Sequence, residues 1–452
     1  MQADIHDSPK IEDTEQLVDW FRASCTPQAR WRVGLEHEKF GLTRDTAEAL
    51  PYGGPRGIQR VLQLFAERHG WSPIFEGPNV IALAKDNASI TLEPGGQLEL
   101  SSSPQRSVHE ICVELNQHLR EAKAIGEELG IDWVGLGAHP TALEPQIPWM
   151  PKQRYRIMGR YLPTRGGHAV DMMKRTCTVQ ASYDYESEAD CAEKMRLAMA
   201  LSPVAVAIFA NSPVSAGRHN GYLSERAAYW QDMDPDRCGI FPEVFEAGWG
   251  FRQYVERILD TPMFFIERGG TLIDYGGRSF REFVTRGLDG HVATMADFEL
   301  QLSTLFPEAR LKRVIEVRGA DAGPTNMLCA LPALWKGILY DAQARKDAWT
   351  LVERWSQAER TALWADVSHH ALDARIGGTR LLDIAQALLR IAQASLKRQA
   401  CLSPRGNDET YYLQGMDHYL FEEERCPGAG LLEKWRGEWA GDVRQLIAAS
   451  RY

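Results

Sequence analysis

The sequence predicts an α+β protein built on a mainly antiparallel sheet, with helices flanking it and a helical C-terminal third. Three observations lead there. Strand-like runs that alternate every second residue occur at "RVGLEHEKFGL", "ASITLEPGGQLELSSSP", "RTCTVQASYDY" and "LKRVIEVRGAD". The second contains two such runs around Pro94-Gly95-Gly96, the signature of a hairpin and so of antiparallel pairing. From "LPALWKGILYDAQ" onward the apolar spacing is helical almost without a break.

The elements follow in order. "TEQLVDWFRASC" puts Leu17, Val18, Trp20 and Phe21 on one helix face. "GIQRVLQLFAERHG" reads as a helix stopped by Gly70, and "SVHEICVELNQHLREAKAIGEELG" as a longer one stopped by Gly130. Ser187 should open the helix "SEADCAEKMRLAMALSPVAVAIFA" as a capping box with Asp190. "NSPVSAGRHNGYLSERAAYW" is loop-like and then helical, and its core "HNGYLSER" carries no chemistry that the residues define alone. "LKRVIEVRGAD" reads as a strand from Leu311 to about Gly319. "AWTLVERWSQAERTALWADVSHHAL" and "RLLDIAQALLRIAQASLKRQA" supply helices of the last third.

Composition excludes several classes. The net charge of -10 over 452 residues, with no basic tract, argues against nucleic acid or an anionic membrane as the partner. No run of ~20 apolar residues is present to span a membrane. The acidic opening "MQADIHDSPKIEDTEQ" has no apolar signal core, so a cytoplasmic protein is expected. The eight cysteines contain no CxxC pair, which points to reduced, mostly buried thiols and away from zinc.

The strand faces carry the chemistry. Glu36 and Glu38 share one face of the first strand, opposite Leu35 and His37. Thr91 and Glu93, then Gln97, Glu99 and Ser101, share one face of the hairpin. Thr176, Thr178, Gln180 and Ser182 alternate with Cys177, Val179, Ala181 and Tyr183, and Glu316 shares a face with Arg318. A solvated sheet face would mix lysine with such residues. Here the set is almost entirely Glu, Gln, Thr and Ser, and like charges held together need cations between them. Oxygen donors suit Mg²⁺, which usually completes its shell with substrate phosphates. Two readings stand at this point: a solvated face, or a site where Mg²⁺ holds a nucleoside triphosphate. No GxxxxGK(S/T) and no GxGxxG opening a helix is present, so such a nucleotide would be held by metal and basic side chains. Arg154, Arg156, Arg226 and Arg318 are the candidate anion binders.

Seven segments, "GLEHEKFG", "LEPGGQLELS", "MPKQRYRIM", "DMMKRTCTVQ", "MALSPVAVAIFANSP", "LKRVIEVRGADAGP" and "LCALPALWKGILYD", occur in an order that resembles glutamate–cysteine ligase of the plant and proteobacterial type. The resemblance runs from about Leu17 to about Asp341 and is weaker beyond. It implies a glutamine-synthetase-like carboxylate–amine ligase fold whose sheet forms the active-site cavity. It implies a catalytic core over 1–341 and a helical extension over 342–452, packed as one unit, in a monomer or weak homodimer. ATP would phosphorylate the γ-carboxylate of glutamate, and cysteine would displace phosphate to give γ-glutamylcysteine, the first step of glutathione synthesis. By the same resemblance Glu36, Glu38, Glu99 and Glu316 are Mg²⁺ ligands, with Glu93 and Gln180 as further ones, for about two or three ions. Glu38 and Arg318 are catalytic, Arg318 through the transferring phosphate, and Arg154 and Arg226 bind the substrate glutamate.

One departure is visible. The plant relatives carry a regulatory disulfide in the segment matching "TPMFFIERGGTLIDYGGRSFREFVTRGLDG", which here has no cysteine and has Tyr275 at the first position. Cys112 and Cys329 match a second plant disulfide; in a reducing cytoplasm they are expected as two buried thiols. A ligase joining glutamate to another amine, and a non-catalytic metal- or nucleotide-binding protein, are the alternatives; the second would be expected to lose a carboxylate or the arginine beside Glu316, and neither is lost.

Overall fold

A computed structural model describes residues 8–452. The acidic opening at residues 1–7, part of the segment read as lacking a leader, lies outside the described residues. Among the described residues no helix is long and apolar enough to cross a membrane.

The central feature is a nine-stranded sheet, and every pairing in it is antiparallel. Its strands are β1 (Val33–Thr43), β2 (Ser72–Glu76), β3 (Asn79–Lys85), β4 (Ala88–Leu92), β5 (Leu98–Ser101), β6 (Ile131–Val134), β7 (Val179–Tyr183), β8 (Ala309–Leu311) and β9 (Ile315–Val317). Their order is β8-β9-β7-β1-β5-β4-β3-β2, with β6 on the second half of β1. The long β1 is the hub. Its first half pairs with β7 on one side and β5 on the other, and residues Phe40–Thr43 pair with β6. The Pro-Gly-Gly hairpin is present as β4–β5.

Helices follow the expected signals closely. α1 (Glu15–Arg22) buries Leu17, Val18 and Phe21. α2 (Ile58–His69) and α3 (Val108–Leu129) end at Gly70 and Gly130, both left-handed, where a side chain would be strained. α4 (Gln153–Tyr161), α5 (Ala169–Arg175), α6 (Glu188–Phe209) and α7 (Glu225–Gln231) complete the set around the sheet. Ser187 does cap α6, accepting the Asp190 N–H at 3.2 Å. The reciprocal half of the box is absent. The Asp190 carboxylate takes the Glu186 N–H at 3.0 Å and pairs with Lys194 at 2.8 Å, because a buried lysine is the stronger partner.

The strand expected from Leu311 to Gly319 is a correction. The chain instead makes a tight β8–β9 hairpin through Lys312, Arg313 and Val314, so Arg310 lies opposite Glu316. Two adjacent basic residues in the turn are solvated more easily than in a strand interior.

One sheet face packs on α3 and the helix Ala330–Leu339. A single apolar cluster runs from there into the last third, through Leu363, Leu388, Leu389 and Leu396. Polar contacts tie the same parts together. Lys336 and Glu409 form a buried ion pair at 2.5 Å, and Glu409 also accepts the Val108 N–H at 2.7 Å.

Cys112 and Cys329 form a disulfide across 217 residues of sequence, with Cα atoms 6.1 Å apart, which overturns the expectation of two thiols. The earlier expectation came from the compartment. Packing decides the matter, since α3 and the helix Ala330–Leu339 both pack on β1 and bring the two Cα atoms within bridging distance. Denatured, unreduced protein should therefore titrate six free thiols and the reduced protein eight. Reduction should cost about 2–4 kcal/mol of stability. Eight thiols without reductant would contradict the pairing.

Candidate active site

The register of β1 builds the site. Glu38 stands opposite Glu99, which stands opposite Thr91, while Glu36 stands between Gln180 and Ser101. Because antiparallel neighbours point to the same side, carboxylates from β1 and β5 meet on one face. That face forms the wall of a cavity of about 310 Å³. Glu36, Glu38, Glu93, Glu99 and Gln180 line it, as do Arg154, Arg226 and Arg318, so these predicted residues are brought together. The opposite face of the same strands, Leu35, Leu98, Leu100, Val179 and Ala181, is buried in the core.

Glu316 is placed differently. It is fully buried and does not line the cavity. Arg310 and Arg318 hold one of its oxygens at 2.7 and 3.0 Å, and Lys312 holds the other at 3.3 Å. Arg318 also donates to the Gln180 side-chain oxygen Oε1 at 2.7 Å. Two of the six predicted oxygen ligands are thus already engaged by cationic side chains. Arg318 is fixed between them and presented to the cavity. Arg156 points to solvent from α4 and takes no part.

In the same cavity, Trp230 anchors two arginines. The Arg226 and Arg318 guanidiniums lie 5.8 and 5.7 Å from its ring centroid. Arg226 donates to the Arg318 carbonyl at 2.9 Å, and its buried Nε has no partner. An unpaired buried donor of this kind is costly and fits an anionic ligand. Sequence reasoning missed Lys152, Arg310 and Trp230, all of which line the cavity, whereas Thr178 was already on the polar strand face. Lys152 donates to the Leu92 carbonyl at 2.8 Å, beside the carboxylates. Arg310 could have been found only by knowing that β8 and β9 turn on each other.

The match to known proteins is extensive. Residues 32–449 fit the family model described as glutamate–cysteine ligase family 2. The chain belongs to glutamate–cysteine ligase family 2. It is 41% identical over 441 residues to the chloroplastic glutamate–cysteine ligase of Brassica juncea, covering 97% of this chain and 84% of that one. The Nicotiana tabacum enzyme is 42% identical over 457 residues, covering 98% and 86%. The solved glutamate–cysteine ligase of Francisella tularensis, in complex with AMP, shares the fold with a TM-score of 0.54 at 12% identity, over 93% of this chain and 88% of that one.

The electrostatics of this family 2 ligase separate its carboxylates into two kinds. Burial and the neighbouring Glu316 and Glu99 push Glu36 up to about 8. Burial and Glu93 push Glu99 up to about 7, and burial with Glu93 and Glu99 raises Glu38 well above the carboxylate range. Burial acts on Glu316 in the same direction, but Arg310, Lys312 and Arg318 outweigh it and hold Glu316 well below that range. Glu38 accepts the Thr178 N–H at 3.0 Å and Glu99 the Ser101 hydroxyl at 2.9 Å, which leaves oxygens on both toward the cavity. The donor set is all oxygen and fits Mg²⁺. Among the described residues no three acidic, histidine or cysteine side chains close into a cage that holds an ion unaided. A set of open carboxylates that share an ion with phosphate oxygens fits that arrangement.

The sign of the pH dependence follows. Glu36 and Glu99 hold protons more tightly folded than unfolded. Their contribution is therefore most favourable below the unfolded carboxylate range and is lost as pH rises through about 7 to 8. With a chelator present, unfolding free energy should fall between about pH 5.5 and about pH 8.5, by up to about 1.4 kcal/mol per pH unit for each extra proton held. Mg²⁺ with ATP should flatten the slope. Denaturant titrations at both pH values test this, and a stability that is flat or rises without metal would contradict it.

Proposed function

We propose that this cavity is where the chain carries out glutamate–cysteine ligation, with the residues above in defined roles. A γ-carboxylate oxygen of glutamate attacks the terminal phosphorus of ATP, and ADP leaves. The amino nitrogen of cysteine, having given up a proton, then attacks the acyl carbon. The C–O bond to phosphate breaks and an amide forms, giving γ-glutamylcysteine. The observation that carries the reading is a single cavity lined both by four carboxylates, on β1, β5 and the β4–β5 turn, and by two arginines over Trp230.

Glu36, Glu38, Glu93 and Glu99 are the residues that would hold Mg²⁺. When bound there, it supplies neutralisation between these carboxylates and the triphosphate. Arg318, held by Glu316 and Gln180, meets the negative charge that spreads over the transferring phosphoryl group. Its position is set before substrate arrives, so no reorganisation is needed during transfer. Arg226 and Arg154 bind the carboxylates of glutamate; their forked geometry suits a planar anion. Lys152, donating to the Leu92 and Tyr155 oxygens, stands beside Glu93 and Glu99, whose charges offset part of the burial that lowers its pKa.

ADP release with glutamate fixed and the amine varied tests the activity. Release that depends on cysteine is expected, and equal release with unrelated amines would move the assignment to another carboxylate–amine ligase. Glu38→Gln should leave the fold intact and lower kcat at least about 100-fold. Near-normal turnover would remove Glu38 from the machinery. Arg226→Lys should raise the KM for glutamate about tenfold with a smaller change in kcat, because a point charge replaces a fork.

A further inference from the structure

On the far side of α5 and α7 from the catalytic site lies a second cavity of about 410 Å³. The two helices divide the cavities between them. Met172, Met173, Arg226 and Trp230 face the catalytic one, while Asp171, Arg175, Glu225 and Tyr229 face the second. The run "HNGYLSER", which found no role above, wraps the second cavity: His219, Asn220, Tyr222 and Glu225 line it.

Its floor is charged and incomplete. Arg175 is only 5% exposed and Glu225 only 7%. Arg175 uses one terminal nitrogen for Asp171 at 2.6 Å and the Tyr229 hydroxyl at 2.7 Å, and its Nε has no partner. Oε2 of Glu225 has no partner either. Among the described residues the ion pair of Arg175 is with Asp171, not with Glu225. The Tyr229 hydroxyl links the two charges, accepting from Arg175 and bonding Glu225, yet each keeps one unmet polar atom, which is costly unless something further meets it. At the mouth, Arg218 is exposed and makes no ion pair among the described residues. Tyr222 and Tyr229 add aromatic surface between these charges.

A ligand that meets this arrangement carries a positive and a negative group a few bonds apart on a small body. We propose that the cavity binds a free α-amino acid, with its ammonium against Glu225, its carboxylate against Arg175 and Arg218, and its side chain between Tyr222 and Tyr229. This site is separate from the one that takes the substrate amino acids, because α5 and α7 stand between them. The second cavity is anchored to the first, however. Ser212 and Ser224 both donate to the Asp321 carboxylate, at 2.7 and 2.8 Å, just past Arg318.

The test is calorimetric titration of the full-length enzyme with each free L-amino acid other than glutamate and cysteine, at up to millimolar concentrations. At least one should bind one-to-one to the wild type. It should bind Arg154→Ala equally well, and Arg218→Ala and Glu225→Gln about tenfold more weakly or worse, the loss expected of one charge-assisted hydrogen bond. Arg218 sits on an exposed two-stranded turn, so Arg218→Ala folds and keeps its basal ligation rate, and it decides the outcome alone if Glu225→Gln does not fold. Three results would each overturn the proposal. One is binding of none of the amino acids. Another is binding that Arg218→Ala leaves unchanged. The third is binding lost in Arg154→Ala, which would place the ligand in the catalytic cavity.

Discussion

The register of β1 between β5 and β7 is the constraint from which the rest follows. A strand has a side-chain period of two, so a slip of one residue would exchange its faces. Glu36 and Glu38 would enter the core, and His37 and Lys39, now fully buried, would enter the cavity. The register is held from both sides and from behind. Leu35 and Leu100 fill the core, His37 Nε2 lies 3.0 Å from the Tyr452 hydroxyl, and Lys39 donates to the Leu98 carbonyl at 3.3 Å. Placing three glutamates from two adjacent strands at neighbouring positions is unfavourable for an isolated sheet. The apolar burial on the other face outweighs it, at roughly 25 cal/mol per Å² removed from water.

That cost is directed to a use. Carboxylates with no cationic partner, Glu36, Glu38 and Glu99, are pushed toward the protonated form, while Glu316, with three cationic partners, stays ionised. The first group is available to a divalent ion. The second holds the arginines. Glu316 is thus held by Arg310, Lys312 and Arg318 and does not line the cavity, a placement that its position in the "IEVRG" motif does not reveal. The arginine beside it was legible; what the glutamate does with it was not.

Much of the fold was readable because its signals are local. Gly70 and Gly130 end helices for reasons of backbone geometry, and the Pro-Gly-Gly turn fixes a hairpin. Which residues share the cavity face was also readable, since alternation along a strand decides it. What failed turned on which side chain finds which partner, near in sequence or far. The β8–β9 turn depends on where Arg310 finds a partner, and the Asp190 capping box gave way to a lysine one turn on. The Cys112–Cys329 bridge joins segments 217 residues apart; the resemblance marked the pair, and the expected reducing compartment argued against joining it. Lys152 and Trp230 reach the cavity only through the placement of α4 and α7.

The central claim is that glutamates from separate strands share divalent ions with a nucleotide. Crystals grown with Mn²⁺ and a non-hydrolysable ATP analogue would give anomalous difference density at the ions themselves. Peaks are expected within coordination distance of Glu36, Glu38 or Glu99, on the cavity side, with phosphate oxygens completing each shell. Peaks confined to the surface, or a triphosphate bound with those three carboxylates facing away from it, would contradict it.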